Sequence, residues 1–294
     1  MDGLAAPLVG GDGTRIEMKN SQRFWKMTGS GNDFVFFDAM HSPPESLATP
    51  AVIGALCDRR NGIGADGVVF LEPEPGLDFG MKYYNRDGSL AEMCGNAALC
   101  SARLATDLGI VSKGRPFAFQ TPSGPVNARF VDGLPEIDMV PIKELTSAFS
   151  TALESGERAI GYARVGVPHV IVLCEDVERV DVTRRGRVLR LLPQLAAGAN
   201  ANFISGSDNS GAWLMRTYER GVEAETLACG TGAVAAVALL SAWGLVPNEA
   251  SLRTRSGRIL SVRVPVDGSH AAPVLRGEGR VVFEGKLADF QPQL

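Results

Sequence analysis

One short cysteine segment occurs twice in this chain, and its spacing calls for a fold in two related halves. Cys94-Gly95-Asn96-Ala97-Ala98 returns 135 positions later as Cys229-Gly230-Thr231-Gly232-Ala233, in a chain of 294 residues. At the same offset Leu104 meets Leu239, Gly109 meets Gly244 and Val111 meets Val246. A chain of this length suits about two domains of ~150 residues. Cys94 and Cys229 are then equivalent positions in a duplicated unit. Halves that face one another would bring both thiols to one cleft.

The repeat extends upstream with an offset of 134, where Met81-Lys82-Tyr83-Tyr84-Asn85-Arg86 aligns with Met215-Arg216-Thr217-Tyr218-Glu219-Arg220. The second copy therefore carries one extra residue before its cysteine, and a loop is the place that absorbs an insertion. Each copy reads as a strand, a polar loop and a helix opened by the cysteine. Gly230–Leu240 is apolar nearly all round and is expected to be buried; Asn96–Leu108 is similar but carries Arg103 and Asp107. Gly109 and Gly244 stand where helix C-caps belong. Further strands are expected at 33–38, 67–71, 79–84, 116–121, 126–130, 136–139, 169–174, 212–218, 258–264 and 279–283, between Gly, Pro and Asp turns. Helices are expected at 47–60 and 187–195, and Arg184-Arg185-Gly186-Arg187 reads as a solvated turn. The fold class is α/β (α+β), two pseudo-symmetric domains each with one central helix.

Composition excludes several classes. A net charge of −4 with scattered Lys and Arg gives no footprint for nucleic acid or an anionic membrane. No apolar run reaches 18 residues, so no spanning helix is expected. Residues 1–22 lack a signal-peptide core and read as a disordered leader. Five cysteines, an odd number without a secretion signal, point to a reducing cytoplasm. Three dispersed histidines and no Cys-x-x-Cys leave no zinc site, and Gly29-Ser30-Gly31 and Gly62-Ile63-Gly64 lack the rest of a phosphate-loop or dinucleotide pattern. No metal or cofactor is expected.

A helix N-terminus carries free N–H groups and partial positive charge, so a thiol there is expected to have a lowered pKa. The N–H groups of Gly95, Asn96, Gly230 and Thr231 can hold a carboxylate. Such binding also stabilises the enediolate that forms when the adjacent α-carbon loses its proton. One cysteine as thiolate could take that proton from one face while the other, as thiol, returns one to the opposite face. The result is inversion of a carbon centre. A single-cysteine hydrolase or a non-catalytic amino-acid binder would leave the duplication without purpose.

The segments Met27-Thr28-Gly29-Ser30-Gly31-Asn32-Asp33-Phe34, Asn85-Arg86-Asp87-Gly88-Ser89, Met93-Cys94-Gly95-Asn96, Pro168-His169, Asn200-Ala201-Asn202-Phe203, Glu219-Arg220-Gly221 and Glu225-Thr226-Leu227-Ala228-Cys229-Gly230-Thr231-Gly232 resemble, in order, those of the diaminopimelate epimerase family. The resemblance runs from about residue 24 to the C-terminus. It implies a pyridoxal-independent isomerase that interconverts LL- and meso-2,6-diaminopimelate for lysine and peptidoglycan synthesis, in a cytoplasmic homodimer. It implies two domains, 23–139 joined by 279–294, and 140–278, each a curled sheet around a central helix. By position it implies Cys94 as proton donor and Cys229 as proton acceptor. Asn32, Asn85, Gly95, Asn96, Asn200, Glu219, Arg220, Gly230 and Thr231 fall at substrate-binding positions, and His169 and Glu219 at positions that tune the thiols. Two positions depart from the family pattern: Val167 stands where Asn is frequent, and Gly67 where Gln is frequent. Both departures remove amides, which keeps a racemase of another amino acid as an alternative.

Overall fold

The computed structural model describes residues 22–41, 44, 46–91, 93–207, 209–265 and 271–287. The expected leader lies outside the described residues except for Gln22. The first half contains β1 (Gln22–Gly29), β2 (Asn32–Asp38), α1 (Pro50–Cys57), β3 (Gly67–Glu72), β4 (Phe79–Asn85), α2 (Gly95–Asp107), β5 (Phe117–Thr121), β6 (Gly124–Val131) and β7 (Leu134–Asp138). The second contains β8 (Ile142–Thr146), β9 (Glu157–Val165), β10 (Val167–Cys174), α3 (Val182–Arg190), β11 (Asn200–Ser207), β12 (Trp213–Glu219), β13 (Ala224–Thr226), α4 (Gly230–Ala242), β14 (Glu249–Arg253), β15 (Ile259–Arg263) and β16 (Val274–Arg276). The last strand, β17 (Arg280–Leu287), returns to pair antiparallel with β1.

The duplication is visible in the strand pairings. The antiparallel β1–β2, parallel β2–β3, antiparallel β3–β4 and parallel β4–β5 pairs match β9–β10, β10–β11, β11–β12 and β12–β14 in sense. The β5–β6–β7 meander matches β14–β15–β16. Even the β17–β1 pair has a counterpart in β8–β9. The small extra strand β13, which folds back on β12, occupies the loop that carries the inserted residue. The halves join where β7 meets β16, with Asp138 opposite Val274, Ile137 opposite Leu275 and Glu136 opposite Arg276.

Each half wraps its sheet around one helix. Helices α2 and α4 share a core with Phe34, Phe36, Met81, Phe119, Ile171, Ile204 and Met215. On the outer faces, α1 packs Val52, Ile53 and Leu56 against Val35, Phe37, Val68 and Phe70, and α3 packs Val182 and Leu189 against Val170, Val172 and Phe203. Strands covered on both faces read as unbroken apolar runs, as in Phe34–Phe37 and Val68–Leu71. Burying one such side chain contributes ~2 kcal/mol. Both central helices stop in the same way: Gly109 and Gly244 take positive φ (75° and 71°), and Ile110 and Leu245 donate back to Ala105 O and Leu240 O. That six-residue closure is the Schellman motif, which glycine enters without a Cβ penalty.

One basic segment behaves unlike its sequence reading. Arg184-Arg185-Gly186-Arg187 lies within α3 rather than in a solvated turn. Asp181 caps this helix by accepting from the Arg184 N–H at 3.1 Å. Arg185 is 5% exposed and donates twice to Glu157, at 2.7 and 2.8 Å, while Gly186 lies against the Tyr218 ring. The helix starts five residues earlier than the apolar pattern suggested because Asp181 supplies its cap.

Candidate active site

Cys94 and Cys229 are the N-cap residues of α2 and α4, with matching backbone angles (φ −136°, ψ 110° and φ −138°, ψ 110°). Neither helix start has a side-chain cap, so its first N–H groups are free for other partners. The two helix ends meet. A Cβ placed on Gly230 would lie 3.6 Å from Gly95 Cα and 3.0 Å from Leu275 Cδ2, and one on Gly95 would lie 2.9 Å from the same Leu275 atom. Leu275 sits on β16 at the joint between the halves. Glycine after each cysteine is what lets these termini approach.

The thiols differ from the sequence expectation. Burial pushes Cys94 up to about 11, against smaller opposing effects from the N–H groups of Ala97 and Asn96; Glu219 adds to the rise. Cys229 is raised further, again first by burial and then by Glu219, although the Thr231 hydroxyl and Gly232 N–H favour its thiolate. The Thr231 oxygen lies 3.6 Å from Cys229 Sγ. The helix ends do stabilise the thiolates, but desolvation outweighs them. Glu219 itself is raised from 4.5 to about 6 by burial, offset in part by the nearby Cys229 thiol and Thr226 hydroxyl. Thr226 faces the same carboxylate without closing a hydrogen bond to it.

On the first-half side, Asn96 Nδ2 donates to Asn32 Oδ1 at 2.6 Å, and Asn32 Nδ2 donates to Asp66 Oδ2 at 3.2 Å. Arg59 bridges Asp66 and Asp33, and the buried Lys26 donates to Asp33 at 2.6 Å and to Gly64 O. Burial opposes the Asp33 charge, but the bonds from Arg59 and Lys26 prevail and hold it at about 2. This chain of donors fixes the Asn96 amide, whose buried Oδ1 is left without a partner among the described residues. Asn85 lies at the end of β4, bonded to Ser89 Oγ at 3.0 Å.

On the second-half side, Asn200 Oδ1 accepts the Arg220 N–H at 2.8 Å, and Arg220 Nη1 donates to Ala197 O at 3.1 Å. His169 is fully buried against Asn202. The charged group that acts on both thiols is the Glu219 carboxylate. Pairing registers superimpose the halves: Asn32, Gly67 and Asn85 occupy the places of Val167, Asn200 and Glu219. The amide absent at Val167 is thus present at Asn32, and the amide absent at Gly67 is present at Asn200. A Cβ at Gly67 would fall on the Tyr83 ring and Tyr84 O, so this departure is enforced by packing.

A family model described as diaminopimelate epimerase matches residues 24–139 and 161–282. This chain belongs to the diaminopimelate epimerase family. A diaminopimelate epimerase from Gemmatimonas aurantiaca is 46% identical over 276 residues, covering 90% of this chain and 99% of the relative. One from Aquifex aeolicus is 36% identical over 277 residues, covering 90% and 98%. Among solved structures, a phenazine biosynthesis protein of the PhzF family from Bacillus anthracis superposes with a TM-score of 0.72 at 13% identity, covering 92% of this chain and 99% of that one. A hydroxyproline epimerase from Agrobacterium vitis, with bound trans-4-hydroxy-L-proline, gives 0.66 at 19% identity, covering 94% and 95%. These two likenesses are ones of fold.

Within the diaminopimelate epimerase frame, the structure brings Cys94, Gly95, Asn96, Glu219, Cys229, Gly230 and Thr231 to the meeting of the two helices. Asn32 joins them through Asn96, and Asn200 and Arg220 hold one another beside Glu219. Asp66 and Asn202 had no role in the sequence reading. Asn202 was legible as the i+2 neighbour of Asn200 on a strand, where alternate residues share a face. Asp66 had no such signal, because its contact with Asn32 spans 34 positions.

Proposed function

We propose that this chain interconverts LL- and meso-2,6-diaminopimelate by two-base proton transfer between Cys229 and Cys94, supplying lysine and peptidoglycan synthesis. The convergence of two cysteine-capped helix N-termini on one glycine-lined gap carries this reading. The carboxylate at the reacting carbon accepts N–H groups of Gly95, Asn96, Gly230 and Thr231, which stabilise the enediolate as it forms. Cys229 as thiolate takes the α-proton and Cys94 as thiol donates to the opposite face; the reverse reaction exchanges the roles. The scheme calls for no cofactor, because the helix N–H groups hold the charge that a pyridoxal ring would otherwise accept.

Both thiols are protonated in the free site, so the substrate itself has to switch one on. Its α-ammonium, placed against Glu219, cancels the charge that raises both pKa values and favours a thiolate. Arg220, with Asn32, Asn85 and Asn200, holds the remaining ammonium and carboxylate groups; a guanidinium suits a carboxylate through paired hydrogen bonds. The racemase alternative is not favoured, since the relatives that match nine-tenths of this chain bear the diaminopimelate epimerase name.

Incubation with LL-diaminopimelate in deuterated water, with no added cofactor, is expected to give meso product carrying one α-deuteron. Meso product without deuterium would refute the proton-transfer scheme. We also infer two domains, 23–139 joined by the C-terminal residues from 279, and 140–278, closing about the β7–β16 joint. A homodimer formed through β17 follows from its edge: among the described residues that edge is unpaired, and Val282 and Phe283 are 49% and 48% exposed. Phe283→Lys should shift the protein from dimer to monomer in sedimentation. No described helix is long and apolar enough to cross a membrane; with five free cysteines, a cytoplasmic location fits.

A further inference from the structure

The layers beneath the two cysteines are chemically opposite. Under the register that relates the halves, Phe34, Val69 and Tyr83 occupy the places of His169, Asn202 and Thr217. In the first half this layer is mostly aromatic, with the Phe34 and Tyr83 rings perpendicular and 5.5 Å apart and the Tyr83 hydroxyl its one polar group. In the second it is polar, and all three members are buried: His169 and Asn202 completely, Thr217 to 2% exposure. Asn202 brings this layer up to the first turn of α4, next to Cys229. A Cβ placed on Gly232 would fall on Asn202 Oδ1 and lie 3.2 Å from Cys229 Sγ. A buried polar layer is costly unless it is satisfied or used.

The hydrogen bonds assign its protons. Thr217 Oγ1 donates to Asn202 Oδ1 at 3.0 Å, which places the amide nitrogen on the opposite side. That nitrogen has two protons: one points to His169 Nδ1 at 3.2 Å and the other to Val170 O at 3.4 Å. Nδ1 must therefore accept with its lone pair, and a neutral ring then carries its proton on Nε2. Burial, with the Arg220 charge, keeps the ring neutral by holding its pKa at about 3. The Nε2 atom is buried and has no partner among the described residues. A buried N–H left in that state is unfavourable, and an arriving acceptor removes the cost.

We infer that Asn202, itself oriented by Thr217 and set against the first turn of α4, is a positioning residue that locks His169 as the Nε2–H tautomer and so keeps one neutral donor free in the layer under that helix start for an oxygen of the substrate carboxylate. The first half offers only the Tyr83 hydroxyl in this layer, with no imidazole or amide, so the pseudo-symmetric thiols work in unequal surroundings. This inference rests on the proposed epimerase reaction for its catalytic consequence, but its tautomer half stands on the geometry alone.

Nitrogen-15 histidine NMR of the full chain separates the two. His169, assigned by its loss in His169→Gln, should show a pyrrole-type Nε2 and a pyridine-type Nδ1 with no titration between pH 6 and 8. A pyridine-type Nε2, or a ring that titrates in that range, overturns the inference. Thr217→Val removes the hydroxyl that orients the amide while keeping its shape. It should mix the tautomers and lower kcat about 10- to 100-fold, the range for a displaced supporting residue, with KM within about twofold. Thr217→Ser, which keeps the hydroxyl, should restore both readouts. A pure Nε2–H signal in Thr217→Val, or mixed tautomers with unchanged kcat, also overturns it. A wild-type chain with the expected NMR signature but no epimerase activity would instead overturn the proposed function and leave the tautomer assignment standing.

Discussion

Replacing Glu219 with Gln should make the protein more stable and less active at once. The carboxyl is raised from 4.5 to about 6, chiefly by burial. Because the folded protein holds this proton more tightly than the unfolded chain, the carboxyl stabilises the fold fully below about pH 4.5 and loses that contribution as pH rises through about 6. The difference of 1.5 pH units corresponds to about 2 kcal/mol at 1.36 kcal/mol per unit. Glu219→Gln removes this liability without emptying the space. Urea unfolding should therefore show the variant and the parent alike at pH 4, with the variant gaining about 2 kcal/mol by pH 7.5. Activity should move the other way. Losing the ammonium's charged partner should cost about 1.5–3 kcal/mol of transition-state binding, or about 10- to 100-fold in kcat/KM. A variant that is less stable at pH 7.5, or equally stabilised at both pH values, would refute the assignment of Glu219 as a buried charge held for the substrate.

Cys94→Ala and Cys229→Ala should each lower epimerisation by at least about 100-fold while leaving the unfolding midpoint close to the parent's, and full turnover in either would exclude the two-thiol scheme. Alkylation of substrate-free enzyme, followed by peptide mass spectrometry, should be slow at Cys94 at pH 7 and accelerate towards about pH 11, with Cys229 slower still; fast labelling of either at pH 7 would contradict the burial argument. Asp33→Asn should cost about 2 kcal/mol at neutral pH. Asp33 is depressed to about 2, so its contribution is present above about pH 3.8 and fades as pH falls through about 2, and a loss of stability unchanged down to pH 2 would count against it. Gly232→Ala should reduce activity by displacing Asn202, as judged by kcat and by the His169 signals.

The repeat made much of this architecture legible. An offset shared by Cys, Gly and Leu positions is enough to predict two related halves, and the Gly109 and Gly244 caps came with it. Strands β9, β11 and β14 were harder to see, because in β11 the polar Asn200 and Asn202 interrupt any apolar pattern for the sake of the site. The α3 start was hidden by a run of arginines, of which Arg184 and Arg185 find their partners, Glu154 and Glu157, about 30 positions away. The thiol pKa values failed for a different reason. Sequence shows that a cysteine opens a helix, which favours its thiolate, but it does not show how much solvent the fold removes, and here that larger effect decides the direction.

The pairing of β17 with β1 sets the order in which this enzyme can be finished. Arg23 and Glu284, neighbours across that ladder, are 261 positions apart. While the chain is being synthesised, the first half has an open edge at β1 with nothing to cover it, and only release of the last few dozen residues closes it. Contacts of such sequence separation are the slow ones, since the loop entropy is lost before the contact forms. A chain cut before residue 280 would keep both cysteines yet expose a long apolar strand edge, the kind of surface that invites aggregation. Truncated products should therefore be lost to aggregation before their chemistry matters, and activity should be confined to complete chains.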